Sequence, residues 1–238
     1  MVKKPTVEIM IPVYYKDASH LPLHIRQQLD FFSQALSHYD WKLIITNNGP
    51  KKDALYVAQQ LSKKYPRVQF ADIDNPGRGW SLSSTWYASN ADIVMYMDAD
   101  LATNLKSVAS MLDLLASDRC DIAIGSRYVE GAKTRRTFHR NLLSKTYNLM
   151  LYYILGIKVF DAQCGFKALK QSVAKELIPL TKDRKFFFDT ELLYYAEKKG
   201  YRIAKIPVQW EEQKETSVQI ISVVLDYIKN ILRLLFFK

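Results

Sequence analysis

Asp98 and Asp100 lie two residues apart at the end of an apolar run, Val94-Met95-Tyr96-Met97. The run reads as a buried strand, and residues i and i+2 of a strand point to one side. The two carboxylates project together if the strand persists to Asp100. Unpaired acids in that arrangement repel each other, and a cation relieves the repulsion. A hard divalent ion takes a few carboxylates plus the oxygens of a substrate diphosphate. The pair therefore suits Mg²⁺ or Mn²⁺ bridging to a nucleotide diphosphate. The alternative is a solvated acidic pair that caps the next helix.

A second cluster is basic. Arg127 follows Gly125-Ser126, and Lys133, Arg135 and Arg136 share the stretch 126–139, SRYVEGAKTRRTFH. The planar guanidinium fork matches phosphate oxygens, so these residues make a local anion site. The alternative is a solvated basic loop. Asp189 and Glu191 open a helix, where the dipole favours acids. Cys164 reads as a small packed residue rather than a nucleophile. The four histidines show no metal-ligand spacing.

These residues need a scaffold, and the chain supplies one. Its 238 residues suffice for one large α/β domain with a full core. Strand patterns at 6–11, 43–46, 68–72, 93–97 and 122–125 alternate with helical patterns at 21–36, 54–65, 81–89 and 105–116. Such alternation implies a largely parallel sheet covered by helices, and ligands bind beyond the carboxyl ends of its strands. After residue 125 the rhythm breaks. Helical patterns follow at 141–154 and 190–199, with a strand at 202–210. Asn141, Ser144, Lys145 and Asn148 mark the polar face of the first. The tail, IISVVLDYIKNILRLLFFK, places Ser222, Asp226, Lys229, Asn230 and Arg233 at helical spacing. Residues 218–238 are expected to form an interfacial helix. Ile221, Val224, Leu225, Ile228, Ile231, Leu232 and Leu235 would face lipid, with Lys229 and Arg233 at the head groups.

Composition narrows the partners. Lys plus Arg number 34 against 24 Asp plus Glu, a formal charge of +10, which points to an anionic partner. Nucleic acid is excluded as the expected partner because no recognition motif accompanies the charge. Two cysteines are too few for a disulfide framework and fit a reducing compartment. The N-terminus reads as a first strand rather than a signal peptide. No stretch of about 18 uncharged apolar residues marks a membrane span.

Several short motifs occur in order: Ile11-Pro12-Val13-Tyr14, Arg78-Gly79, Asp98-Ala99-Asp100-Leu101, Gly125-Ser126-Arg127, Asp161-Ala162-Gln163-Cys164-Gly165-Phe166-Lys167, Phe188-Asp189-Thr190-Glu191-Leu192-Leu193 and Pro207-Val208-Gln209-Trp210. Together they resemble glycosyltransferase family 2, whose fold is called GT-A, and most of all its polyprenyl-phosphate branch, which includes the dolichyl-phosphate mannose synthases. The resemblance implies residues 1–217 as a catalytic GT-A domain, with a mostly parallel central sheet, followed by the amphipathic helix. It implies inverting, metal-dependent transfer of a hexose from a nucleotide diphosphate sugar, of GDP-mannose or UDP-glucose type, to a dolichyl or undecaprenyl phosphate. The enzyme would sit peripherally on the cytoplasmic face of a membrane, in an oligomeric state that the sequence leaves open.

By the same resemblance, Asp98 lies near nucleotide and sugar and Asp100 holds the metal, with Ala99 between them in the donor site. Pro12, Tyr14, Asp17 and Asn47 line the nucleoside, and Arg78 meets the donor phosphates. Asp161 and Gln163 line the sugar pocket, and Asp161 contacts hydroxyls or assists the acceptor. Arg127 leans to the donor diphosphate and Arg136 to the acceptor phosphate; Lys133 and Arg135, from the charge of the same basic loop alone, are expected to bind the acceptor with it. Asp189 stands beside the acceptor. The chain departs from the family at Tyr15 and Lys16, where Asn and Glu are usual, and at Asn47-Asn48-Gly49-Pro50, where D-D-G-S is usual. Ala102 replaces a frequent Gln ligand. These departures leave two further readings open: a family 2 transferase acting on a soluble or polysaccharide glycan, and a non-catalytic nucleotide-sugar-binding relative.

Overall fold

The computed structural model describes residues 3–211 and 220–236. The 217/218 boundary expected from sequence, and Val218 and Lys238, lie outside the described residues, as does the Ile221 side chain. In chain order the elements are β1 (Thr6–Val13), α1 (Leu21–Ala35), β2 (Asp40–Asn48), α2 (Asp53–Lys64), β3 (Val68–Ile73), α3 (Arg78–Ala88), β4 (Ile93–Met97), α4 (Ser107–Ala116), β5 (Ile122–Ser126), β6 (Lys133–Arg135), α5 (Phe138–Met150), β7 (Phe166–Lys170), α6 (Gln171–Leu177), α7 (Phe188–Lys198), β8 (Ile203–Pro207), β9 (Gln209–Glu211) and α8 (Ile220–Phe236). A π-helical turn, Leu151–Leu155, extends α5 and stops at Gly156, whose φ is +71°.

A seven-stranded sheet runs β3-β2-β1-β4-β7-β5-β8. All neighbours are parallel except β7, which runs antiparallel to both β4 and β5. Central strands of such a sheet are covered on both faces and read as continuous apolar runs. All five residues of β4 are buried. On one face Ile9, Ile11, Met95 and Phe166 pack under α1, α2 and α4. On the other, Met10, Val94, Tyr96 and Leu169 pack under α3, α6, α7 and the π turn, and α8 joins them through Ile231 and Leu234.

The sequence reading misses β7 and α6. In β7, Lys167 and Lys170 break the apolar run, although Lys167 is fully buried. The helix expected from residue 81 starts at Arg78. β4 stops at Met97, so the alternation expected to carry Asp98 and Asp100 to one side does not extend that far. Two expectations for α8 need correction. Ile231 faces the core rather than lipid, and Arg233 is half-buried, donating to Glu191 Oε1 at 2.9 Å. Glu191 is fully buried, and the guanidinium compensates its charge. Among the described residues no helix is long and apolar enough to cross a membrane.

Candidate active site

β1, β2 and β4 end side by side, delivering Tyr14, Asn48 and Asp98 to one edge of the sheet. Each exit is fixed locally. Asp17 Oδ2 accepts the Tyr14 amide at 2.7 Å. Asn48 Oδ1 accepts the Gly77 amide at 2.8 Å, tying β2 to the start of α3. Gly77 has φ +139°, and a Cβ there would fall 2.3 Å from the Arg184 carbonyl oxygen. Only glycine combines that conformation with that approach. Asn47 is buried and donates to Gly49 O at 2.8 Å and Asp72 Oδ1 at 2.9 Å. Pro12 is a buried part of β1.

Beyond β4 the chain turns sharply, with Leu101 at φ +56°. Non-glycine residues in this region cost energy that packing must offset. His24 Nδ1 donates to the Ala99 carbonyl at 2.8 Å, and the Ala102 amide donates to Asp100 Oδ1 at 3.0 Å. Ala99 is buried, Asp98 half-exposed and Asp100 exposed. Burial raises the Asp98 carboxyl to about 6; Arg78 opposes that rise and the Asp100 charge adds to it. Burial also raises Asp17, and Asp100 reinforces the shift. The Asp100 charge thus reaches both Asp17 and Asp98. Gly165 makes room for Asp98, because a Cβ there would lie 1.8 Å from Asp98 Oδ2.

Beneath this turn sits a buried charge cluster. Asp189 Oδ2 accepts Arg78 Nη2 at 2.5 Å, and its Oδ1 accepts the Tyr96 hydroxyl at 2.6 Å and faces Lys167 Nζ at 2.9 Å. Burial alone would raise the Asp189 carboxyl, but Arg78 and Lys167 outweigh it and the net shift is downward. Arg78 also reaches Gln163 Oε1 at 3.3 Å and lies 3.8 Å from Asp98. Gln163 donates onward to Thr190 at 2.8 Å, and Thr190 shares a 2.6 Å hydrogen bond with Tyr147. Lys167 donates to the Cys164 carbonyl at 2.5 Å, and burial pushes the Cys164 thiol up to about 12. That thiol is inert at neutral pH.

The basic stretch forms a second cluster. Arg127 donates from its amide and guanidinium to both oxygens of Asp161, at 2.5–3.2 Å. Burial would lower the Arg127 pKa, but Asp161 reverses this and raises it. Asp161 is fully buried, with φ +89°, and Asn148 Oδ1 on α5 accepts its amide at 2.7 Å. Asp161 therefore serves Arg127 here and offers no surface to a sugar. The Trp210 ring has Arg127 5.2 Å and Arg136 5.4 Å from its centroid. Lys133 and Arg135 are exposed on β6, and Arg135 pairs with Glu211 at 3.2 Å.

Backbone bonds join the clusters. Glu211 N donates to Ala102 O at 2.9 Å, Asn104 N to Gln209 O at 3.0 Å, and Thr103 bridges Trp210. The acid turn and the arginine–tryptophan stack are consequently flanks of one edge. Sequence reasoning missed His24 and the roles of Tyr96, Asn148 and Trp210. Tyr96 sits inside the apolar run before Asp98, but its hydroxyl partner is 93 residues away.

The arrangement defines a fold and then a family. A crystal structure of glucosyl-3-phosphoglycerate synthase from Mycobacterium tuberculosis, in complex with Mn²⁺, UDP and glucosyl-3-phosphoglycerate, matches with a TM-score of 0.70 at 15% identity, over 96% of this chain and 79% of that one. The fold is GT-A, a mostly parallel sheet flanked by helices. The Glycosyl transferase family 2 profile matches residues 9–178, and the chain belongs to that family. Glycosyltransferase AglD of Haloferax volcanii is 28% identical over 228 residues, covering 95% of this chain and 36% of that protein. Dolichyl-phosphate beta-glucosyltransferase ALG5C of Trichomonas vaginalis is 28% identical over 190 residues, covering 76% and 56%. The Drosophila melanogaster dolichyl-phosphate beta-glucosyltransferase is 28% identical over 222 residues, covering 87% and 68%. The chain thus spans between 36% and 68% of the length of these relatives.

Proposed function

We propose that the chain transfers a hexose, with inversion, from a nucleotide diphosphate sugar to a polyprenyl phosphate. The observation that carries this reading is the backbone link between residues 102–104 and 209–211, which sets an acidic turn beside an arginine–tryptophan stack. One flank suits a cation-bound diphosphate and the other a phosphate monoester. The names of the relatives favour a glucosyl donor, of UDP-glucose type, and a dolichyl-type acceptor.

An acceptor phosphate oxygen attacks the anomeric carbon while the bond to the donor diphosphate breaks. The phosphate is anionic at neutral pH, so no strong general base is needed. Catalysis is positioning plus stabilisation of departing charge. Arg78, held by Asp189 and Gln163, faces the donor phosphates. Arg136 with Lys133 and Arg135 takes the acceptor, while Asp161 orients Arg127. Tyr14 and Asp17 flank the nucleoside, and the buried Asn47 holds the end of β2 through Gly49 and Asp72.

A divalent cation fits the acid turn. Among the described residues no group of three His, Cys, Asp or Glu side chains is placed to hold an ion alone. Two carboxylates plus substrate oxygens form an ordinary Mg²⁺ or Mn²⁺ shell. Asp98 and Asp100 would hold it, and their mutual repulsion, which helps to raise Asp98, is what it would relieve. When bound, the ion supplies Lewis-acid stabilisation of the leaving diphosphate.

The enzyme sits peripherally on a cytoplasmic membrane face. Exposed apolar stripes support this: Phe138, Leu142, Leu149 and Tyr153 on α5 and its π turn, and Leu225, Ile228 and Leu232 on α8. The deciding experiment is a panel of labelled nucleotide sugars with a polyprenyl phosphate, scored by organic extraction. Labelled lipid from a glucosyl or mannosyl donor is the expected result. Label confined to a soluble glycan would remove the lipid reading, and no transfer at all would favour a non-catalytic relative.

A further inference from the structure

At the end of α5 farthest from the arginine stack, the chain forms a depression of about 390 Å³ beside the π turn. Lys158, Lys198 and Lys205 border it, with Tyr194 and Tyr201. The three lysines are exposed. None of them makes a carboxylate pair among the described residues. The acid in the wall, Glu197, is committed, since it accepts the amides of Lys158 and Val159 at 2.8 and 2.7 Å. Three lysines against that one acid leave the depression with an excess of positive charge.

Its position gives the charge a meaning. Immediately before it in the chain, Tyr152, Tyr153 and Ile154 stand exposed, at 49%, 78% and 43%. Gly156, at φ +71°, turns the backbone from this apolar segment directly into Lys158. The 18 residues of α5 plus the π turn span roughly 27 Å. One end of that rod follows Arg136, and the other meets the lysine depression. If the rod's exposed apolar face lies along a bilayer, both ends come to head-group depth together.

We infer that the Lys158–Lys198–Lys205 depression binds the head group of an anionic membrane phospholipid, as a second phosphate site distinct from the one that takes the acceptor. Lysine ammonium groups grip a lipid phosphate as point charges, and the adjoining tyrosines and isoleucine meet the acyl boundary. This site fixes the tilt of α5, and with it the depth at which the arginine stack meets lipid. The inference rests on the membrane-facing reading above but not on the reaction.

The test is flotation of the full chain with vesicles of phosphatidylcholine alone or with roughly 30% phosphatidylglycerol, which gives the surface a negative potential. The triple variant K158Q/K198Q/K205Q is compared with wild type and with K42Q/K63Q/K64Q, which removes equal charge from β2 and α2. Each lysine is expected to contribute roughly 5-fold to binding of the anionic vesicles, so the first variant loses on the order of 100-fold. The second loses far less, and neither changes on neutral vesicles. Turnover of a short, water-soluble polyprenyl phosphate without vesicles stays at the wild-type level in the first variant. Wild-type flotation by that variant, or equal losses in both, overturns the site. Wild type that floats with neither vesicle overturns the membrane reading as well. Failure of transfer with lysine-dependent flotation overturns the proposed reaction alone.

Discussion

Asp100 and Gly165 do opposite jobs for the same carboxylate. Asp100 adds negative charge beside Asp98, whereas Gly165 withholds a side chain so that Asp98 fits. Replacing Asp100 with Ala leaves one carboxylate to hold a hard ion, so transfer is expected to fall to background. EDTA should do the same to wild type, with recovery on adding Mg²⁺ or Mn²⁺. Undiminished turnover in excess chelator would end the metal assignment. Gly165→Ala forces Asp98 aside by an ångström or more, and a displacement of that size costs roughly 100-fold in rate. Donor titration and thermal melting on the same sample separate this from unfolding: turnover should collapse while most of the stability remains. Arg136 and Arg127 are less alike than their shared tryptophan implies. Arg136→Ala should weaken acceptor use roughly 10- to 100-fold, the loss of one charge-assisted hydrogen bond, with donor binding little changed. Arg127→Ala strands Asp161 in the interior and should cost about 3–5 kcal/mol of stability, visible in denaturant titration before any kinetics.

Elements differ in how openly the sequence announces them. β4 is an unbroken apolar run and β1 and β5 are nearly so, Glu8 being the one charge in them, and all three were readable, as were α1 and α2 from their 3.6-residue period. β7 was not, because Lys167 sits at a core position whose partner, Asp189, comes from a helix 22 residues on. A charge in a short apolar run looks like a surface until its counter-ion is known. α6 has seven residues, too few for periodicity to speak. The tail's helix was legible, but not which side it buries, since apolar residues occur around most of it. The acid turn and basic stretch were legible as residue types, and the Asp161–Arg127 pairing was not, because it depends on a contact 34 residues apart. At the sheet's far end Asp121 joins β5 to β7 and β8 through Lys170 and Arg202, each at 2.8 Å. Hydrogen bonds from Arg202 chiefly hold its carboxyl well below the usual carboxylate range, against a smaller upward push from burial. A depressed folded pKa gives stability present above the unfolded value of about 3.9 and lost as pH falls toward the folded one. Asp121→Asn should therefore cost about 1–2 kcal/mol at neutral pH, given that Arg202 is half exposed. The difference from wild type should shrink steadily below pH 4 in acid titrations followed by circular dichroism.

Taken whole, the molecule has a wet edge, where the sheet's acids and arginines meet, and a greasy flank made by α5, its π turn and α8. Deleting α8 is a poor way to test that flank, because it would leave Glu191 buried without Arg233. Leu225→Ser with Ile228→Ser is the cleaner change, since both side chains are exposed, at 62% and 44%. Vesicle flotation should weaken by roughly 10-fold or more while the melting temperature holds; unchanged flotation would place the anchor elsewhere. The place of β7 in the sheet, between two strands made before it, has a further consequence, for the order in which the protein is made. β1 to β4 can pair as soon as they leave the ribosome, but β7 is the strand that joins β4 to β5, and it is not complete until Lys170. For more than seventy residues of synthesis, from Met97 to Lys170, the nascent chain carries one of its most apolar strands with an open edge. Such an edge recruits other chains, so this interval is where translation speed and chaperone access decide the yield of folded protein.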